Sequence, residues 1–331
     1  MRSLQLHLII ICSIFVAISA SAQSTAYSKP AGFVTHTLRA GQLNLIGLTL
    51  HEPVVLSGSL DSVDGTQLID SDMDYDAALT SGRSYILEII SNEADPSLNG
   101  VIQIVSDWTG SNLTTPDNLG IDGLASGAKY HLRAPKTLAD LFGVSNSVGL
   151  TAGANIASAD VVWLHNGSSF DKFYYSPGGG FGGGAAGWKG IDGGDASDQP
   201  IIYTDAIIIQ CRSSEDKALT ISGVVKTELI SLALMGGKFN FVSSTFPVGS
   251  TLANSGLETQ LTSAPEIGQS DVVWMPDGEG NYQKYYFSPD GWKSEAGEDA
   301  AATPLTSGII IERLGVDANA KLTPPESYDD L

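Results

Sequence analysis

Apolar residues fall in short runs of four to seven, bounded by Gly, Pro, Asn, Asp and Ser. Such spacing predicts the strands of an antiparallel sandwich or barrel. Val161-Val162-Trp163 reads as a short buried strand. Asn166-Gly167 follows as a hairpin signal, and Phe170 to Tyr175 as the returning aromatic strand. Ile207-Ile208-Ile209 and the run from Leu219 to Val225 supply two further strands. Earlier in the chain, Val54 to Leu60, Ser84 to Ser91, Val101 to Val105 and Lys129 to Arg133 show the same pattern. Thr137 to Phe142 reads as one short helix.

Much of this pattern occurs twice. Asp160-Val161-Val162-Trp163 returns as Asp271-Val272-Val273-Trp274. Lys172-Phe173-Tyr174-Tyr175-Ser176-Pro177 returns as Lys284-Tyr285-Tyr286-Phe287-Ser288-Pro289. Gly187-Trp188-Lys189 matches Gly291-Trp292-Lys293, and Asp195-Ala196 matches Asp299-Ala300. The triple Ile at Ile207 to Ile209, with Arg212, matches Ile309 to Ile311, with Arg313. Upstream, Gly41-Gln42-Leu43-Asn44-Leu45 resembles Gly237-Lys238-Phe239-Asn240-Phe241. Two copies make a tandem pair, not a solenoid, which needs at least three repeats.

The expected fold class is mainly β: two tandem related antiparallel sandwich or barrel modules, the first carrying an inserted small β-subdomain. The boundaries are 1–22 for a leader, 23–52 with 136–225 for the first module, and 53–135 for the insert. The second module takes 226–323, and 324–331 is expected to be a mobile tail. Loop tips tolerate such insertions.

Residues 1–22 read as a secretory signal: Arg2, then an apolar core from Leu8 to Ile18, then Ala20-Ser21-Ala22 as the cleavage site. The core is about 11 residues long, short of the roughly 20 that span a bilayer. No later stretch could span a membrane, so the expected localisation is periplasm, cell surface or medium. Cys12 leaves with the leader and lacks a lipobox, which leaves Cys211 as a buried structural thiol.

The chain carries 37 Asp and Glu against 17 Lys and Arg, a formal charge of −20. That excess excludes nucleic acid, whose phosphates need Lys and Arg patches, and disfavours anionic lipid. With 42% hydrophobic residues, the chain has too much apolar side chain to be a disordered acidic tail.

The repeated motifs, chiefly Asp160 to Trp163 and Phe173 to Trp188 with their second copies, resemble a family of secreted tandem-repeat β-proteins from Verrucomicrobia-type bacteria. The resemblance covers nearly the whole chain after the leader. It implies export and this two-module architecture, often with the same insert. It carries no activity, cofactor or site residue. The second copy departs from the pattern after Arg313, where Leu322-Thr323-Pro324 stands in place of Leu219-Thr220-Ile221-Ser222-Gly223.

Candidate chemistry is sparse. Gly182, Gly184 and Gly187 formally match a dinucleotide fingerprint, but no helical run follows them, so a flexible hairpin loop is expected. Asp70, Asp72, Asp74 and Asp76 would share one face of an extended strand, as a solvated acidic loop or a Ca²⁺ site. Asp192, Asp195 and Asp198 form a second acidic loop. The spacing of His36, His51, His131 and His165 makes no zinc motif. Trp163, Phe173, Tyr174, Tyr175 and Trp188, with their counterparts, are either core or a sugar-stacking platform.

No catalytic, cofactor or metal residue is assigned from these patterns. The expected function is an exported, non-enzymatic β-protein with a structural or attachment role. The alternatives are a carbohydrate-binding module or a secreted hydrolase with a carboxylate pair. The partner stays open among envelope components, glycans and copies of the chain itself.

Overall fold

The computed structural model describes residues 30–167, 169–179, 184–305, 307–329 and 331. The leader, residues 1–22, lies outside them, as do residues 180–183 of the Gly-rich loop. The protein is mainly β, with several antiparallel sheets and, among the described residues, no closed barrel and two short helices.

Two five-stranded sheets dominate. The first runs Gly187–Gly190, Phe170–Ser176, Val161–His165, Ile207–Gln210, Leu43–Ile46. The second runs Gly291–Ser294, Tyr282–Ser288, Val272–Pro276, Gly308–Glu312, Phe239–Ser243. The strand order is the same, and every neighbour is antiparallel. Each sheet is accompanied by a two-stranded ribbon: Ala31–Leu38 with Lys217–Val224, and Ile230–Leu234 with Ala318–Leu322.

Two details adjust the sequence alignment. In the second ribbon the strand ends at Leu322, before Thr323-Pro324. Ala320 and Leu322 are buried there, as Leu219 and Ile221 are in the first ribbon. Asn319 and Lys321 alternate with them, so the strand keeps period two with little apolar bulk. Secondly, the Cys211 amide donates to Gln42 O at 2.9 Å and the Arg313 amide to Lys238 O at 3.0 Å. Cys211, not Arg212, therefore stands where Arg313 stands.

The sheets meet through backbone. Ser243 N donates to Thr204 O at 2.8 Å and Ala206 N to Phe241 O at 3.1 Å. At this seam Gly47 and Gly308 pass so closely that a Cβ on Gly47 would lie 2.8 Å from Gly308 N. One apolar cluster takes side chains from both sheets, including Val162, Trp188, Ile207, Val273, Trp292 and Ile309.

The segment 53–135 holds two four-stranded sheets. One orders Val54–Ser59, Lys129–Arg133, Ile86–Ser91, Ile102–Ile104, the four strands expected from sequence. The other orders Ser62–Asp64, Gln67–Ile69, Asn112–Thr114, Asp107–Thr109. Its strands are three residues each, too short for alternation to stand out. A second apolar cluster, from Leu60 to Ala134, lies entirely within this segment.

The expected helix is Leu138–Phe142, opened by a Thr137–Asp140 capping box. It brings Phe142 against Trp188, with ring centroids 5.3 Å apart. The expected mobile tail is docked instead. Tyr328 is buried, its ring 6.0 Å from Phe246 and its hydroxyl donating to Val248 O at 2.9 Å. Burial of one aromatic outweighs the acidic, Pro-rich composition that suggested mobility.

Candidate functional site

The repeated Asp of each Val-Val-Trp strand is a backbone clamp. Asp160 is buried, and its carboxylate accepts from Thr151 N at 2.7 Å and Arg212 N at 2.6 Å. Asp271 is buried likewise and accepts from Thr262 N at 2.8 Å and Leu314 N at 2.6 Å. Asp271 also receives Arg313 Nη1 at 2.8 Å. Beside Asp160 that place is filled by Cys211, whose thiol is pushed up to about 12 by burial and then by the Asp160 charge. A second shared clamp uses Asn44 and Asn240. Each accepts one amide, from Arg39 and Met235, and its own amide group donates to carbonyls of the triple-Ile strand, Ile209 and Ile311.

The aromatic residues divide by depth. Trp188, Trp292, Phe173, Tyr174, Tyr285 and Tyr286 are buried. Trp163 and Trp274 are only half-buried, and each ring lies beneath a lysine ammonium. Lys172 Nζ sits 4.0 Å above Trp163 and Lys284 Nζ 4.5 Å above Trp274. On each indole the lysine occupies a face on which a sugar ring would stack. Phe33 and Phe239 are the exposed aromatic rings among the large exposed hydrophobics.

The densest buried polar constellation was not foreseen from sequence. Glu88, on the Ile86–Ser91 strand, is 1% exposed. It accepts Arg133 Nε at 3.0 Å and the Tyr203 hydroxyl at 2.7 Å, and lies 3.3 Å from Lys226 Nζ. Burial alone would raise its pKa, but Lys226 and Arg133 outweigh it and bring the carboxyl to about 2. His131 Nδ1 lies 3.9 Å away. His51 packs edge-on to Tyr203 at 4.7 Å and bonds Thr245 O through Nε2 at 3.1 Å. Burial, then the Arg133 charge, lowers His51 to about 3, so it is neutral at physiological pH. The set joins Glu88, His131 and Arg133 of the segment 53–135 to His51, Tyr203, Lys226 and Thr245 from outside it.

The acidic runs also serve the backbone. Asp70 is buried and accepts the Tyr130 hydroxyl at 2.7 Å, which corrects its reading as part of a solvated loop. Asp74 caps the helix Tyr75–Ala78, and Asp76 accepts Gly110 N at 2.9 Å. The turn and helix break the extended alternation, so the four carboxylates do not share a face. Asp192 and Asp195 accept amides of Gly194 and Ser197 in their own loop. Among the described residues no three His, Cys, Asp or Glu side chains converge as a metal site. Gly182 of the dinucleotide pattern lies outside the described residues, and Gly187 leads into a strand.

A cleft of about 590 Å³ opens where the segment 53–135 meets the rest of the chain. Ser97, Gln103, Asp117 and Asp122 line it from that segment. Thr204 and Asp205 come from the stretch before the Ile207–Gln210 strand, Ser231 and Asn319 from the Ile230–Leu234 and Ala318–Leu322 ribbon. Asp205 lies beside the seam, and burial raises its carboxyl to about 7. No family model, curated protein or solved structure matches the chain.

Proposed function

We propose that the protein is an exported, non-enzymatic β-protein of the cell envelope or extracellular space, with a structural or attachment role. Its core would be two related modules, the first interrupted by the small β-subdomain. The observation that carries this reading is how the buried polar groups are used. Asp160, Asp271, Asn44 and Asn240 are committed to backbone amides and carbonyls, and Glu88 to two cations and a phenol. Polar groups engaged in this way stiffen a scaffold; they are not poised to move protons. The shared strand order and shared clamps support relatedness of the two modules. Among the described residues no helix is long and apolar enough to cross a membrane.

The test is expression of the full chain with its leader in a diderm bacterium, followed by fractionation and mass measurement of the N-terminus. The expected result is a chain beginning at Gln23 outside the cytoplasm. An unprocessed cytoplasmic chain would refute the export half. The same purified protein is expected to leave a panel of polysaccharides uncleaved. Release of reducing ends, abolished by replacing one carboxylate, would replace this reading with the hydrolase. Glycan-array binding lost on W163A or W274A would replace it with the aromatic carbohydrate module.

A further inference from the structure

The three-way cleft is lined by charge of one sign. Three carboxylates line it, Asp117 and Asp122 from the insert and Asp205 from the first module, and no Lys or Arg lines it. The buried Glu88, by contrast, is matched by Arg133 and Lys226. Lys321 approaches the rim, but its ammonium is held by the Ser97 and Asn99 carbonyls.

A single metal ion does not suit this site. Asp117 Oδ2 is partly engaged by Gln103 Nε2 at 2.7 Å, and the three carboxylates do not converge as ion ligands. Between them the walls are aliphatic, with Leu98, Ile102 and Leu232. Ser231 also lines the cleft. It is 6% exposed, and its hydroxyl has no hydrogen-bond partner in the protein. An orphaned hydroxyl in a cleft marks a hydrogen bond left for a guest.

We propose that this cleft binds an aliphatic di- or polyamine, its separated ammonium groups meeting Asp205 and the Asp117–Asp122 pair across the methylene-facing walls. Separated positive charges match separated carboxylates, and the methylene chain covers Leu98, Ile102 and Leu232. Sites between structural units are common places for small ligands. A one-sign cleft between low-dielectric walls concentrates the opposite charge. An arriving ammonium would also favour the ionised form of Asp205, whose burial otherwise holds its proton to about pH 7. The other ionisable groups facing Asp205 are Asp117 and Asp122 across this cleft, and His165 and Asp171 in the cleft on its opposite side. None of them is a strong cation at neutral pH.

Isothermal titration of the mature full chain with cadaverine and spermidine tests the proposal, with 1,5-pentanediol and CaCl2 as controls. Saturable binding of the amines and none of the diol is expected, strengthening from pH 6 to pH 8 as Asp205 ionises. D205N is expected to weaken cadaverine by about tenfold or more, the scale of one lost buried charge pair. The exposed pair D117N/D122N should weaken it too, and it keeps the test valid if D205N fails to fold. D192N/D195N, in a distant acidic loop, should change nothing. Amine binding unaffected by both cleft variants would show a general attraction to an acidic protein and overturn the site. Equal binding of the diol, or no saturable amine binding at all, would overturn the ligand class. None of these outcomes depends on where the protein resides or whether it is processed.

Discussion

The first and second five-stranded sheets place the same carboxylate on the same two amides, yet differ in what stands beside it. Asp160 faces the thiol of Cys211; Asp271 faces the guanidinium of Arg313. The shared part is the pair of backbone bonds, to Thr151 and Arg212 in one and to Thr262 and Leu314 in the other. The comparison teaches that the repeated Asp is kept buried by backbone donors. A counterion is an addition that one sheet has and the other lacks. Two charge-assisted amide bonds can hold a buried carboxylate without a cation.

A second difference is the segment 53–135, which lies in sequence between two strands of the first sheet, Leu43–Ile46 and Val161–His165, and is tied down through Glu88. E88Q should give the largest loss, about 3–5 kcal/mol in urea unfolding, because Arg133 would be left buried without an anion and Lys226 would keep only Glu228, 3.4 Å away. The sign of the pH effect follows from the depressed carboxyl. Glu88 titrates near 2 folded and near 4.5 free, so its stabilisation is present above 4.5 and is lost as pH falls toward 2. The wild type should lose stability over that window and E88Q should lose less. Equal acid sensitivity would show that Glu88 is not the tie.

The next largest effect separates the two clamps. D271A should cost about 3–5 kcal/mol, since it also strands the Arg313 charge. D160A leaves two orphaned amides and a neutral thiol, and should cost about 2–3 kcal/mol. A reversed order would break the comparison. The core tryptophans sharpen it further. Trp188 Nε1 donates to Gly143 O at 2.9 Å, whereas Trp292 Nε1 has no hydrogen-bond partner in the protein. W188F should therefore cost more than W292F by about 1 kcal/mol, the net value of one hydrogen bond.

The smallest effect is at Cys211. C211A should change stability by about 1 kcal/mol or less, since only a small buried group is lost. The native thiol should resist a thiol-specific chromogenic reagent until the protein unfolds, because burial keeps it protonated. Rapid native labelling would show that the site opens.

Sequence made the main strands legible because each is an apolar run with a turn residue at its end. Val161 to Trp163 and Ile207 to Ile209 are examples. The strand Ala318–Leu322 was harder to read, since small Ala320 carries the buried position that Leu219 carries in its counterpart. The depth of Trp163 was misleading as well. Its ring looks like core in one dimension, but Lys172, nine residues on, crosses the hairpin to cover it. Most of the candidate sites lay beyond reach. Glu88, Arg133, Tyr203 and Lys226 are scattered single residues with no spacing motif, and only the topology of the insert brings them together. The three-way cleft likewise combines residues from three distant stretches.

Amide hydrogen exchange at Thr151, Arg212, Thr262 and Leu314 tests the shared clamp most directly. If the carboxylates hold these amides equally, all four exchange only through global unfolding in the wild type. D160A then frees Thr151 and Arg212 while Thr262 and Leu314 stay protected. Fast exchange at Thr151 and Arg212 in the wild type, beside full protection at Thr262 and Leu314, would contradict the account and make Arg313 the true source of order.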